Sequence, residues 1–394
     1  MLIQGIPDFF QVNYLDTDKL HCMALLVSRG GHVLLEDYRG TGELGGGNAI
    51  GMDTLFRIYS MTKPVTAAAA MMLYEDGAIR LDDPVEKFIP EFAHTRVWTG
   101  GTASAYETRK ADRPMQIRDL LTHTSGLTYG HLPMHEVDSL YRREGIELIQ
   151  PSETLESMCT RLARLPLLFS PGTRWNYGHS TDVLGRVIEV ATGMMLDVAM
   201  KTLIFDPLGM QDTGFHLAPN NAARLPACYT KNVVTREVAL SSDAGVWCSI
   251  SPTVMLSGGA GLFSTLRDYH RFCLMLLDGG KVDGQRLISP KTVDQMLQNQ
   301  LPRNQTMRQF GDRVFSEAGL QGHGFSFAGS VVVDHAQTRL PASPGTFSWG
   351  GLANTYFWID PAKELVAIQA TQMIPSGYYP IQAQFQKMVY ATLT

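Results

Sequence analysis

FRIYSMTKPVTAAAAMMLYEDG, residues 56–77, holds the first interpretable pattern in the chain. A short β-like run, 56–59, gives way to a strong helical signal. Ser60 or Thr62 can cap the helix, Pro64 suits its first turn, the alanines propagate it and Gly77 stops it. On a helix, positions i and i+3 share a face, so the Lys63 amine can reach the Ser60 hydroxyl. A serine hydroxyl is a poor nucleophile until a base takes its proton, and a lysine of lowered pKa is one such base. The helix start adds free N–H groups and partial positive charge, which favour a developing oxyanion. Against this stands a plain alternative, a serine cap followed by a surface lysine. About one S-x-x-K is expected by chance in a chain of this length and average composition. Here the ten lysines yield only this one S-x-x-K, and it opens a predicted helix.

The rest of the 394 residues narrows the class. Hydrophobic residues make up 44% and charged residues 18%, so disorder, collagen and coiled coil are excluded. The net charge is −5 with no basic stripe, which argues against a nucleic-acid partner. Cys22, Cys159, Cys228, Cys248 and Cys273 are odd in number and show no CxxC spacing. They read as free thiols of a reducing compartment, and a zinc site is not expected. The opening MLIQGIPDFFQ lacks the positive region of a signal peptide, and apolar runs such as 67–74 and 272–277 are far too short to span a membrane. A cytoplasmic protein with no membrane partner is the expectation.

Working outward from Ser60, residues 21–39 read as two β-runs joined at Gly30-Gly31, a hairpin signal. The glycine-rich 41–51 reads as a surface loop; without GxGxxG or GK[ST] it is no phosphate cradle. From about 80 to 205 the pattern is mostly helical with long loops, including helical candidates at 115–122, 153–165 and 181–192, and a break at 205–209. Helices are predicted again at 266–277 and 290–298. β-rich runs follow at 325–333 and 356–371, the second turning at Asp360-Pro361, and a closing helix is predicted at 382–392. Strands at both ends around a helical middle imply an α/β fold of α+β type. Residues 1–80 and 245–394 would form a discontinuous α/β domain, 81–244 a mainly helical domain, and the active site would lie between them.

No serine lies in an intact GxSxG, so the α/β-hydrolase elbow is disfavoured. Two further segments share the order of Ser60 and Lys63. Arg174-Trp175-Asn176-Tyr177-Gly178-His179-Ser180 precedes one predicted helix, and Ser348-Trp349-Gly350-Gly351-Leu352 precedes a β-run. Ser-x-x-Lys, then a tyrosine triplet, then a glycine-containing triplet before a strand resembles the serine β-lactamase and penicillin-binding protein superfamily. Family VIII carboxylesterases, which share the class C β-lactamase fold, are the nearest match. LLTHTSGL (120–127) and WNYGHSTDVLGRVIE (175–189) resemble that family too, so the likeness spans most of residues 20–370.

The resemblance implies a β-lactamase-like fold: an antiparallel sheet flanked by terminal helices, with the helical domain inserted. It also implies Ser60 as nucleophile, Lys63 as its partner, Tyr177 as general base, and an oxyanion hole from the N–H groups of Ser60 and Leu352. A phenol ionises near ~10 in water, so a tyrosine base needs a cation beside it. Tyr177 and Lys63 are therefore expected to act as one coupled pair. The alternative for a lone tyrosine is a packing residue with a satisfied hydroxyl.

Where β-lactamases carry Asn at the end of the second motif and Lys-Thr-Gly as the third, this chain carries His179 and Trp349-Gly350-Gly351. Trp349 replaces a carboxylate-binding cation by an apolar wall, which favours a neutral ester over an anionic β-lactam. Trp349, Gly350, Gly351, Tyr129 and His179 are the expected substrate-binding residues, with a structural role for His179 at least as plausible; His123 reads as a turn-stabilising residue. Met pairs at 71–72 and 194–195 fit helix cores. No histidine spacing suits a metal, and no cofactor is expected. The expected activity is hydrolysis of carboxylic esters of short to medium acyl chains through an acyl-enzyme on Ser60. The rivals are a β-lactamase, a D-amino-acid peptidase or an acyltransferase of the same superfamily, and a non-catalytic ligand-binding homologue.

Overall fold

The computed structural model describes residues 2–132, 134–147, 153–241, 254–311 and 320–393. Its centre is a sheet of eight strands, all paired antiparallel, drawn from both ends of the chain. In chain order these are β1 (Cys22–Arg29), β2 (His32–Glu43), β3 (Gly46–Ala49), β4 (His323–Phe325), β5 (Ser330–Val332), β6 (Phe347–Gly350), β7 (Tyr356–Asp360) and β8 (Leu365–Ala370). Across the sheet they run β4-β5-β6-β7-β8-β1-β2-β3. The seam is β1 against β8, with Ala24 opposite Ala370 and Leu26 opposite Ile368. Gly30 and Gly31, at φ 55° and 77°, make the predicted tight turn between β1 and β2, a conformation that glycine adopts without a Cβ penalty.

Alternation along the strands builds two cores. Cys22, Ala24 and Leu26 of β1 face the larger one, while Met23, Leu25 and Val27 face the smaller. The smaller core is closed by the first helix, α1 (Ile6–Phe10), and the last, α5 (Ile381–Thr392), through Phe10, Phe385 and Val389. Phe385 meets Phe10 at 6.3 Å and Trp358 at 5.3 Å between ring centroids. Each such fully buried apolar side chain contributes about 1.5–3 kcal/mol. On the other face lie α2 (Thr62–Glu75), α3 (Ser180–Thr192) and α4 (Leu266–Leu277), whose Tyr269 ring packs 5.0 Å from Phe357.

Several local expectations need correction. Helix α2 has no side-chain cap: its cap position is Met61, and the Thr62 hydroxyl instead accepts from the Leu262 N–H at 3.1 Å. The glycine-rich stretch 41–51 is not a loop, because it holds the end of β2 and the edge strand β3. The described residues of 81–241 contribute no strand to the central sheet, yet they are not purely helical. Arg96–Thr102 and Ala105–Lys110 form a hairpin in what was expected to be a loop, and Tyr229–Lys231 pairs with both Val238–Leu240 and Met373–Ile374. Met71 is buried as expected, whereas Met194 and Met195 are exposed beyond the end of α3. Cys22, Cys159, Cys228 and Cys273 are buried free thiols, and Cys248 lies outside the described residues. Among the described residues no helix is long and apolar enough to cross a membrane.

Candidate active site

Ser60 lies in a short 3₁₀ turn, Tyr59–Met61, that runs directly into α2. The turn is set by Tyr59, whose φ of 42° is unusual for a side chain with a Cβ. One helical step later Lys63 is fully buried, and its Nζ donates to Ser60 Oγ at 3.1 Å and to the Gly259 carbonyl at 2.9 Å. From the far side, the Tyr177 hydroxyl is hydrogen-bonded to Ser60 Oγ at 2.8 Å, although the two residues are 117 positions apart. The Lys63 ammonium also sits over the Tyr177 ring at 4.5 Å from its centroid. Thus Ser60 Oγ is held between an amine and a phenol.

The third segment arrives with the end of β6. Trp349 Nε1 donates to the Tyr177 hydroxyl oxygen at 3.4 Å, and its ring lies 5.5 Å from that of Tyr177. A Cβ on Gly351 would come within 2.2 Å of Thr355 Oγ1 and 2.3 Å of the Ile58 carbonyl oxygen. Only glycine lets this turn close against the segment that carries Ser60. Among the described residues the Leu352 N–H makes no hydrogen bond, which leaves it available to an oxyanion.

These residues border a cavity of about 480 Å³. Tyr129, Tyr177, Trp349, Gly350, Gly351 and Leu352 all line it beside Ser60. Its described lining includes no Lys, Arg, Asp or Glu. Burial pushes the Tyr129 phenol well above its ordinary range, with Asp182 acting in the same direction, so that hydroxyl stays protonated.

His179, expected among the substrate-binding residues, is not in the cavity wall. It is fully buried behind Tyr129, with ring centroids 4.5 Å apart, and its Nδ1 pairs with Asp182 Oδ2 at 3.0 Å. Burial disfavours the imidazolium, but the Asp182 hydrogen bond and the Glu147 carboxylate, 3.6 Å from Nε2, outweigh that and raise its pKa. Asp182 is held below its ordinary range despite burial, by His179 first, then by Ser257 and Lys63. Its other oxygen accepts from Ser257 Oγ at 2.6 Å and the Gly259 N–H at 3.0 Å. Since the Gly259 carbonyl receives Lys63, Asp182, itself held by Ser257, fixes the residue that anchors the lysine. Sequence reasoning missed Asp182, Ser257, Gly259 and Glu147; the closely spaced glycines of SGGAG (257–261) were the available signal. His123 is neutral, its pKa driven well down by burial and by Lys63. Its Nδ1 accepts from the Gly178 N–H at 3.4 Å, so it supports the tyrosine turn.

An antiparallel sheet with helices on both faces, and a serine at a helix start between an amine and a phenol, define a serine β-lactamase-like enzyme. The chain belongs to the beta-lactamase family, whose model matches residues 12–379. It is similar to Protein Rv1367c of Mycobacterium tuberculosis, at 36% identity over 82% of this chain and 78% of the relative. It is 30% identical to Esterase EstB of Burkholderia gladioli over 93% of this chain and 90% of the esterase. Among solved structures, EstCE1, described as a hydrolase with promiscuous acyltransferase activity, superposes with a TM-score of 0.80 at 26% identity, covering 98% of this chain and 97% of its own. The chain is therefore an enzyme of the β-lactamase-like serine hydrolase superfamily, with esterases among its relatives.

Proposed function

We propose that the protein is a carboxylesterase of the family VIII type, cleaving neutral esters of short to medium acyl chains. The observation that carries this is the placing of Ser60 Oγ, 2.8 Å from the Tyr177 hydroxyl and 3.1 Å from Lys63 Nζ, on a cavity whose described lining includes no Lys, Arg, Asp or Glu. A β-lactam or a peptide C-terminus brings a carboxylate, and the described wall has no Lys or Arg to receive it.

Ser60 Oγ attacks the ester carbonyl carbon as its proton passes to the Tyr177–Lys63 pair. The N–H groups of Ser60 and Leu352 take the oxyanion. Collapse of the tetrahedral species breaks the bond to the alkoxide, which leaves as the alcohol with the proton from Tyr177. Water then adds to the acyl-serine, giving its proton to the same pair, and the acid departs with Ser60 regenerated. Ser60→Ala should abolish hydrolysis of p-nitrophenyl butyrate, by about 10⁴-fold or more in kcat, with an unchanged melting temperature. Retained turnover would overturn the assignment.

A second outcome for the acyl-enzyme, transfer to an alcohol, is supported by the acyltransferase activity named for EstCE1. Adding 1-butanol to the p-nitrophenyl butyrate reaction tests it. Butyl butyrate formed at the expense of butyrate supports transfer, and butyrate alone restricts the enzyme to hydrolysis.

A further inference from the structure

The cavity beside Ser60 continues past the end of β6 onto the opposite face of the sheet. Cross-strand register shows this directly. Trp349, Phe357, Ile368 and Leu26 stand in one row, and Phe357, Ile368 and Leu26 belong to the larger core on the face of α2. The neighbouring row is Gly350, Tyr356, Gln369 and Leu25, and Leu25 belongs to the smaller core beneath α5. Residues directly opposite one another project from the same face, and adjacent rows project from opposite faces. Yet the same cavity is lined by Ser60 and Trp349 and by Tyr356 and Gln369. It therefore has a reaction lobe on one face and an outer lobe on the other, on either side of the end of β6 and the turn that follows it.

The lining of the outer lobe includes Gln369, a buried side chain with an unpaired oxygen. Gln369 is only 1% exposed, and its Oε1 has no hydrogen-bond partner among the described residues. A buried, unpaired carboxamide is costly, and such groups are normally satisfied within the protein or by a ligand. The lining also includes Tyr379, just ahead of α5, and Gln382 and Ala383 in its first turn. That wall is fixed to the β6–β7 turn, because Asn354 donates to the Met373 and Pro375 carbonyls at 2.6 and 3.1 Å and accepts from the Gly377 N–H at 3.2 Å.

We propose that the outer lobe is a second substrate subsite, which takes the distal end of an elongated, uncharged ester and binds a hydroxyl there through the Gln369 carboxamide. The proposal rests on ester hydrolysis at Ser60 and adds to it the substrate class, a neutral ester with a hydrogen-bonding group several bonds from the carbonyl. A site built to pair with a hydroxyl discriminates against the analogue that lacks it, since that analogue leaves the carboxamide unpaired.

The test compares kcat/KM for two pairs of esters that differ only in a terminal hydroxyl. One is p-nitrophenyl 10-hydroxydecanoate against the decanoate, and the other is the monobutyrate of 1,10-decanediol against decyl butyrate. In at least one pair the hydroxylated ester is expected to be preferred about ten-fold by the wild type, and Gln369→Leu should bring that ratio to about one. Ratios in both pairs that are the same in wild type and Gln369→Leu overturn the subsite. A measurement without any variant guards against misfolding: 1,10-decanediol should inhibit wild-type hydrolysis of p-nitrophenyl acetate about ten-fold more strongly than 1-decanol. The more apolar decanol wins in a lobe that has only apolar contacts to give, and that result also overturns the proposal. Hydrolysis of p-nitrophenyl acetate, too short to reach Gln369, reports separately on the chemistry at Ser60. Should it fail, tryptophan-fluorescence titration with the diol and decanol still decides the subsite.

Discussion

The indole N–H of Trp349 is aimed at the phenol oxygen of Tyr177, at 3.4 Å, so the residue that walls the cavity also touches the proposed base. An N–H donor stabilises a phenolate more than a phenol, which draws Trp349 into proton transfer as well as packing. Trp349→Phe keeps most of the apolar surface and removes the donor. The expected result is a fall of about ten-fold in kcat on p-nitrophenyl butyrate with a smaller change in KM. An unchanged kcat would show that Trp349 acts as wall alone.

Tyr177→Phe deletes one oxygen from the pair proposed to receive the Ser60 proton. Single-turnover kinetics should show acylation slowed by about 10³-fold, with the melting temperature within a few degrees of wild type. Near-normal acylation would assign the base to Lys63 alone.

Gly351→Ala forces a methyl into backbone and hydroxyl atoms at 2.2 and 2.3 Å. The turn must retreat from Ile58, moving the Leu352 N–H away from Ser60. A loss of about 1–3 kcal/mol in stability, read by urea unfolding, should accompany a drop of about 10²-fold in kcat. Full activity would place the second oxyanion donor elsewhere.

The buried pair His179 and Asp182, with the partly buried Glu147, carries a pH signature. The His179 pKa is raised in the folded protein, so its stabilising charge is complete below the ordinary imidazole value of 6.5 and is lost as pH rises through the higher folded value. Asp182 and Glu147 are lowered, so their contributions are present above their ordinary values of 3.8 and 4.5 and are lost as pH falls through the lower folded ones. Melting temperature should therefore decline as pH rises above 6.5 in wild type, and His179→Gln should flatten that alkaline limb. Parallel alkaline limbs in the two proteins would show that His179 does not titrate there.

Much of this was legible in the sequence because it is local. The spacing of Ser60 and Lys63 on a helix, the Gly30-Gly31 turn and the β-runs after residue 355 follow from periodicity and turn chemistry. The approach of Tyr177 to Ser60 was reachable only through family resemblance, since nothing local links positions 117 apart. Asp182 was invisible as a lysine anchor, because it acts through the Gly259 peptide, 77 positions away. The edge strand β3 hid behind glycines that carry no β-propensity. The Arg96–Thr102 hairpin hid because most of its residues face solvent and give no apolar alternation.

The seam between β1 and β8 joins residues 22–29 to residues 365–370. During synthesis the hairpin that precedes Ser60 is finished early, yet its inner edge waits until nearly the whole chain has left the ribosome. Until then β1 is an open edge rich in Leu and Val, the kind of surface that pairs with other chains or recruits a chaperone. The turn that holds Leu352 joins two strands of the same sheet, so it is expected to settle beside the cavity of Ser60 only as that seam forms. The recovery of activity on refolding should accordingly lag behind helix formation and coincide with closure of this pair.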